Sequence, residues 1–228
     1  MQSIKTEGPA ENADTLRRSN MDAKKFFLVL FILCILSFFP LLIFFTDSFL
    51  YEAPIHLGFF SIAMYFLWKR DLKTTLKSMG VPGNIKKNVL YIIGGFIAIL
   101  ITLFALGYLL TGLGLNDQKN IMDIVNMLPL YLLAMAVVFA PISEELFFRA
   151  LLINKIGERT GQIAAILIAA AVFAVLHISY GSVVELVGAF SIAVILGVVY
   201  VKSESIMPPI AIHMIFNFLS ISFMLWFG

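Results

Sequence analysis

Two glutamates and an arginine interrupt a stretch of sequence that is otherwise apolar enough to lie in lipid. Residues 141–149 read Pro-Ile-Ser-Glu-Glu-Leu-Phe-Phe-Arg, inside a largely uncharged segment that covers residues 128–153. Each ionised side chain near the centre of a membrane helix costs roughly 2.5–3.5 kcal/mol on insertion scales. A chain that keeps three of them there must surround them with other protein groups, and such residues are functional candidates.

The composition predicts an all-α, polytopic membrane protein. Hydrophobic residues make up 61% of the 228 residues and charged residues 13%, whereas soluble domains are about half apolar and a quarter charged. The mean hydropathy of +0.97 agrees with this class. A net charge of +2, dispersed along the chain, gives no basis for nucleic-acid binding. The single cysteine, Cys34, cannot form a disulfide within the chain.

The hydropathy pattern divides the chain into three parts and predicts seven membrane helices. Residues 1–25 resemble a disordered cytoplasmic tail, residues 26–127 hold amino-terminal membrane helices with a basic amphipathic loop at 69–87, and residues 128–228 form the candidate catalytic core. A polar loop is expected at 114–127 and a basic hairpin at 154–162. The predicted spans cover residues 26–45, 53–68, 88–113, 128–153, 163–178, 183–201 and 206–227.

The distribution of basic residues predicts a cytoplasmic amino terminus. With that orientation, every Lys and Arg except Lys119 and Arg149 lies on the inside, as the positive-inside rule requires. The same topology places Glu144 and His213 in the cytoplasmic halves of their helices but His177 late in a span that starts at the cytoplasmic side. Either the fifth helix is tilted or starts below the hydrocarbon, or the connection at 179–182 is buried in protein.

Local spacing predicts how the charged cluster is arranged. Glu145 and Arg149 are four residues apart and share a helix face, which favours an ion pair. Glu144 lies about a hundred degrees round the helix and is expected to remain unpaired. Pro141 cannot donate to the Val137 carbonyl, so a bend with a polar gap is expected just before the carboxylates.

Later apolar segments carry two histidines and an asparagine that complete a candidate site. His177 ends the run Phe-Ala-Val-Leu-His, and His213 is four residues before Asn217, so these two share a helix face. Each alone could simply hydrogen-bond a neighbouring helix, worth about 0.6 kcal/mol. Together with Glu144 they suggest hydrolysis of an amide: a carboxylate and an imidazole activate water, and an imidazole and a carboxamide bind the oxyanion.

The three motifs, in this order on successive apolar segments, resemble the CAAX prenyl protease and bacteriocin-processing family of intramembrane endopeptidases, also called the Abi family. They are Glu-Glu-x-x-x-Arg at 144–149, Phe-x-x-x-His at 173–177 and His-x-x-x-Asn at 213–217. The resemblance implies that Glu144 and His177 activate water, that His213 and Asn217 form the oxyanion site, and that Glu145 and Arg149 hold the geometry. The commoner family architecture has eight spans, so the expected helix count is seven or eight.

The resemblance also implies a substrate class and raises a question about metal. Family members cleave prenylated CAAX proteins or act in peptide maturation and bacteriocin immunity, so the expected partners are a peptide or lipidated protein and membrane lipids, with the plasma membrane as location. No His-Glu-x-x-His motif is present. Glu144, His177 and His213 could hold zinc, but the favoured mechanism needs no cofactor.

Two other functions remain open at this stage. A non-catalytic immunity factor or scaffold could use the same fold to bind a peptide or a bacteriocin, although binding alone does not need a base beside an oxyanion site. A proton-coupled transporter with Glu144 as carrier is disfavoured, because the sequence has no internal repeat and no second membrane carboxylate relay.

Overall fold

A computed structural model describes residues 58, 59, 61, 77, 79–81 and 83–227, with the side chain of residue 179 excepted. The predicted tail, the predicted spans at 26–45 and 53–68, and most of the basic segment at 69–87 lie outside the described residues. From residue 79 onward the chain belongs to one compact unit, Met79–Gly228. The predicted total of seven or eight membrane helices is therefore not confirmed.

The described part of the chain is helical throughout and contains no strand. One element departs from α geometry within a long helix and another is a short 3-10 turn. In order, the elements are α1 (Ile85–Gly112), α2 (Lys119–Met127), α3 (Leu130–Glu145), a π-helical segment (Leu146–Ile153), α4 (Asn154–Thr160), α5 (Gln162–Leu176), a 3-10 turn (His177–Tyr180), α6 (Val183–Ser203) and α7 (Met207–Phe227).

Four helices of the described region are long and apolar enough to cross a membrane: Ile85–Gly112, Leu130–Thr160, Val183–Ser203 and Met207–Phe227. They match the predicted third, fourth, sixth and seventh spans. Large apolar side chains point outward along them, and Phe104, for example, is 81% exposed. An apolar surface of this extent is stable against lipid and not against water, so the chain is an integral membrane protein.

Two connections differ from the sequence-based expectation. The segment expected to be a polar loop, residues 114–127, contains α2, which buries Val125. The expected hairpin at 154–162 is helical as far as Thr160 and turns only at Gly161, whose φ of +82° suits glycine. Polar composition hid α2, because a short amphipathic helix gives little mean hydropathy.

Helices α1, α6 and α7 pack around a shared apolar core. Its buried members are Ile99 on α1, Ile192, Leu196 and Val199 on α6, and Ile212 on α7. Close packing of α1 depends on Gly95, because a Cβ there would lie 2.6 Å from Ile212 Cδ1 and 2.9 Å from Val199 Cγ2. This core holds α6 and α7, which carry or contact the candidate site residues.

Helix α5 is shorter than the predicted fifth span. Its 15 residues extend about 22 Å at 1.5 Å per residue, against a hydrocarbon thickness of about 30 Å. His177 therefore follows the end of a short helix, and the ring of Phe173 on that helix contacts the rings of both His177 and His213. Phe173 thus connects His177, at the end of α5, with His213 on α7.

Substitution of Gly95 by leucine tests the packing of α1. Because the added side chain would overlap α6 and α7, we expect Gly95→Leu to lower the free energy of unfolding by about 1–3 kcal/mol. The matched control is Gly94→Leu, since nothing lies within 4 Å of a Cβ at Gly94. Thermal unfolding in detergent compares the two, and equal melting temperatures would contradict this packing.

Candidate active site

The charged cluster lies where α3 passes into the π-helical segment. Glu144 and Glu145 occupy the last turn of α3, and Arg149 lies within the π segment. All three are buried, with Glu145 at 0% and Arg149 at 1% exposure. The α-helix continues through Pro141, and the change of helical geometry begins at Leu146. Such π segments occur frequently at functional sites.

Glu145 and Arg149 form the predicted ion pair. Arg149 Nη1 lies 2.9 Å from Glu145 Oε1. The contact is an ion pair, because its angles do not meet those of a hydrogen bond. Arg149 Nη2 also donates to the Ala193 carbonyl of α6, at 3.4 Å. The guanidinium carbon lies 5.5 Å from the ring centroid of Phe173, within cation–π range. The arginine therefore ties the π segment to α5 and α6.

His213 of α7 lies between the two carboxylates. Its Nδ1 is 2.9 Å from Glu145 Oε1, a hydrogen bond in which the ring donates because an ionised carboxylate only accepts. Its Nε2 is 3.6 Å from Glu144 Oε2. The expectation that Glu144 remains unpaired is wrong, because His213 approaches it from another helix. At 3.6 Å the distance from His213 Nε2 to Glu144 Oε2 is too long for a direct hydrogen bond.

His177 is fixed by its own helix and by aromatic contacts. Its Nδ1 lies 2.8 Å from the Phe173 carbonyl. A carbonyl only accepts, so Nδ1 carries the proton and Nε2 is the nitrogen that can act as a base. The Phe173 ring centroid lies 4.5 Å from that of His177 and 6.1 Å from that of His213. Phe173 thus separates and orients the two imidazoles.

Asn217 sits one turn after His213 and is half-buried. Its Nδ2 donates to the Ala136 carbonyl of α3, at 2.9 Å. Ala136 is next to Val137, whose carbonyl receives no hydrogen bond from Pro141 because proline has no N–H. The bond to Ala136 positions the carboxamide next to α3, and the second proton on Nδ2 is available to another acceptor.

The three side chains of the alternative zinc set are not grouped as a metal site in the described residues. Zinc would require Glu144, His177 and His213 to converge on one point, with one position left for water. Within residues 79–81 and 83–227, no three His, Cys, Asp or Glu side chains are grouped so that they could hold a metal ion. His213 Nδ1 faces Glu145 and its Nε2 faces Glu144.

Sequence reasoning named the four side chains that contact one another, Glu144, Glu145, Arg149 and His213, but missed several of their partners. His177 and Asn217 contact the backbone carbonyls of Phe173 and Ala136. The Ala193 and Ala136 carbonyls are backbone acceptors with no side-chain signature. The π geometry of residues 146–153 likewise has no composition cue. The contact between His213 and Glu145 joins residues 68 apart. A buried arginine needs several acceptors, so the sequence could have predicted that Arg149 contacts another helix. It could not have predicted that the acceptor is Ala193.

Comparison with known proteins connects this cluster to a family. Residues 126–219 match the model of the type II CAAX prenyl endopeptidase Rce1-like family, and the six site residues all lie within that range. The chain is 27% identical over 153 residues to a Bacillus subtilis (strain 168) protein named "Putative membrane peptidase YdiL". That match covers 64% of this chain and 59% of YdiL. No solved structure matches the chain.

Removal of the arginine tests the ion pair. We expect Arg149→Ala to destabilise the protein by about 3–5 kcal/mol, because Glu145 would remain buried without its partner. The amount of folded protein in membranes and the melting temperature measure this loss. Lys155→Ala is the matched control, since the Lys155–Glu158 pair is largely exposed and such pairs contribute about 0–1 kcal/mol. Normal melting of Arg149→Ala would contradict the structural role.

Proposed function

The chain belongs, through residues 126–219, to the CAAX prenyl protease and bacteriocin-processing family, and on this premise we propose that it is an intramembrane endopeptidase. The proposal depends on one observation: Glu144, in the otherwise apolar helix α3, lies close to His213, and both side chains are buried. This contact, 3.6 Å between Glu144 Oε2 and His213 Nε2, puts a candidate base beside a candidate hydrogen-bond donor in an apolar environment.

Glu144 is the base that we assign to water activation, assisted by His177. Water attacks the carbonyl carbon of the scissile amide, and its proton passes to the Glu144 carboxylate. The same proton then moves to the leaving nitrogen as the carbon–nitrogen bond breaks. His177 Nε2 can accept a hydrogen bond from the water because Nδ1 donates to the Phe173 carbonyl.

His213 and Asn217 supply the donors for the oxyanion. Glu144, Glu145 and Arg149 together carry one net negative charge when ionised, so a protonated His213 makes the buried cluster neutral. In that state Nδ1 donates to Glu145 and Nε2 carries a proton for the oxyanion. Asn217 adds its second Nδ2 proton, while the first holds the side chain against Ala136.

The substrate is a peptide bond in a membrane-associated peptide, either prenylated or bearing a leader sequence. Family membership supports this class, and the apolar helices around the cluster favour a substrate that partitions into lipid. We place the protein in the plasma membrane with a cytoplasmic amino terminus, on the distribution of Lys and Arg.

A non-catalytic immunity or scaffold protein is the alternative function. The same fold could bind a peptide without cleaving it. The arrangement favours the enzyme, because a binding site gains nothing from a base beside two oxyanion donors. Cleavage by the wild-type protein decides between the two.

Substitution of Glu144 tests the assignment of the base. We expect Glu144→Gln to lower cleavage by about 10²–10⁴-fold, because the amide keeps the shape but cannot accept the proton. The substrate would be a quenched fluorogenic peptide ending in a farnesylated Cys-a-a-X sequence, assayed beside the same peptide without the farnesyl group.

The control is Glu158→Gln, since Glu158 is exposed on α4. Protein levels and melting temperature of both variants are matched to wild type. Full cleavage by Glu144→Gln would rule out the proposed mechanism, and cleavage by neither wild type nor variant would favour the binding function.

Chelation tests whether cleavage needs a metal. We expect activity to be unchanged after dialysis against 1,10-phenanthroline and EDTA, because the proposed mechanism uses only side chains of this chain. The purified protein is assayed before and after dialysis with the same peptide. Loss of activity that zinc restores would overturn the metal-free mechanism and favour the zinc set of Glu144, His177 and His213.

A further inference from the structure

The turn that carries His177 is attached to the helix before it and to a distant loop. Towards α5, His177 Nδ1 bonds the Phe173 carbonyl. Within the turn, the rings of His177 and Tyr180 meet edge to face, with centroids 5.6 Å apart. The turn then ends at Gly181, whose left-handed φ of +64° suits glycine.

Two polar side chains, one in the connection between α1 and α2 and one in α2 itself, hold the residues just after this turn. Asp117 Oδ1 accepts from Ser182 Oγ at 2.7 Å, and Oδ2 accepts from the Val183 amide at 2.6 Å. Asn120 Nδ2 donates to the Gly181 carbonyl at 3.0 Å. We name this set of contacts the 117–120 clamp. It joins segments more than sixty residues apart.

The clamp does more than cap α6. Ser182 already provides a helix cap, because its Oγ accepts from the Glu185 amide at 3.0 Å. Asp117 adds a charged acceptor from elsewhere in the chain, and Asn120 fixes a carbonyl that lies outside the helix. Charge-assisted hydrogen bonds of this kind are shorter and stronger than neutral ones.

Through Asn120, the clamp is also connected to the helix that carries His213 and Asn217. Asn120 belongs to α2, and α2 packs against α7, the helix that carries His213 and Asn217. The clamp therefore connects the turn that carries His177 to α7, through α2. Movement of Asp117 or Asn120 would change the position of His177 relative to the residues on α7.

We propose that Asp117 and Asn120 are positioning residues that hold His177 in its place in the site. The proposal rests on the proposed function, because it gives a role to the geometry of a residue that we assign to water activation. Neither side chain is within the motifs at 144–149, 173–177 and 213–217.

The ionisation of Asp117 suits this role. The Ser182 hydroxyl holds the pKa of the Asp117 carboxyl below its usual value; partial burial opposes this, and the Val183 and Val184 amides add to it. A lowered pKa in the folded state means that the carboxylate stabilises the fold above the ordinary carboxyl range, and that this contribution is lost as pH falls through the depressed value. The clamp is therefore intact at neutral pH.

Chemical labelling of His177 tests the clamp without any substrate. We expect diethyl pyrocarbonate to modify His177 at least threefold faster in Asp117→Asn than in wild type. Ser182 and the Val183 amide donate to the two carboxylate oxygens of Asp117. In the Asp117→Asn variant one of these oxygens becomes an NH₂ group, which cannot accept, so the turn is released. Peptide mass spectrometry of the full-length protein in detergent measures the rate. Asn120→Ala should give a smaller rise in the same direction.

The matched control is Asp123→Asn, since Asp123 is exposed on the same helix α2. We expect it to label like wild type. An unchanged His177 rate in both Asp117→Asn and Asn120→Ala would overturn the proposal. An equal rise at His213 would also overturn it, because that result indicates general loosening of the fold.

Kinetics supply the second readout. We expect Asp117→Asn to lower kcat about tenfold with KM unchanged on the farnesylated fluorogenic peptide, because the substrate still binds but His177 is misplaced. A rise in KM alone would contradict a positioning role. The two proposals fail separately: full cleavage by Glu144→Gln rules out the mechanism, whereas unchanged His177 labelling rules out only the clamp.

Discussion

The buried contact between Glu145 and Arg149 is the interaction on which the rest of the site depends. A carboxylate with no exposed surface is tolerated in an apolar bundle only when cations and donors surround it. Arg149 supplies the charge and His213 supplies a hydrogen bond, 2.9 Å away. Because Arg149 also bonds the Ala193 carbonyl, satisfying this one carboxylate draws together the π segment, α6 and α7. The same groups that make the helix tolerable in a membrane therefore also align the site.

This dependence links stability to chemistry. The hydrogen bond from His213 to Glu145 fixes the orientation of the imidazole ring, and so directs Nε2 towards Glu144. If the groups around Glu145 only neutralised its charge, none of them would need to fix the orientation of the His213 ring. On the proposed function, the Glu145–Arg149 pair thus acts indirectly, by setting the orientation of His213, which donates to the oxyanion.

Sequence reasoning succeeded where the governing physics is local and failed where it is not. The Glu145–Arg149 pair follows from a four-residue helical spacing, and the α1, α6 and α7 spans follow from apolar runs long enough to cross lipid. The contacts of Asn217 with a carbonyl of α3 and of Asp117 with Ser182 depend on how separate helices dock. Backbone acceptors are identical at every residue, so no side-chain pattern marks them. The amphipathic α2 was hidden for a related reason, since its polar face resembles a loop.

The shortness of α5 has a consequence for the surrounding lipid. An apolar helix of 15 residues is about 8 Å shorter than an average hydrocarbon layer, and a bilayer adapts to such hydrophobic mismatch by thinning or by drawing polar groups inward. A bilayer thinned around α5 would bring headgroups and bulk water closer to the end of this helix, where His177 lies. On the proposed function, the water consumed in hydrolysis would then cross a shorter apolar distance.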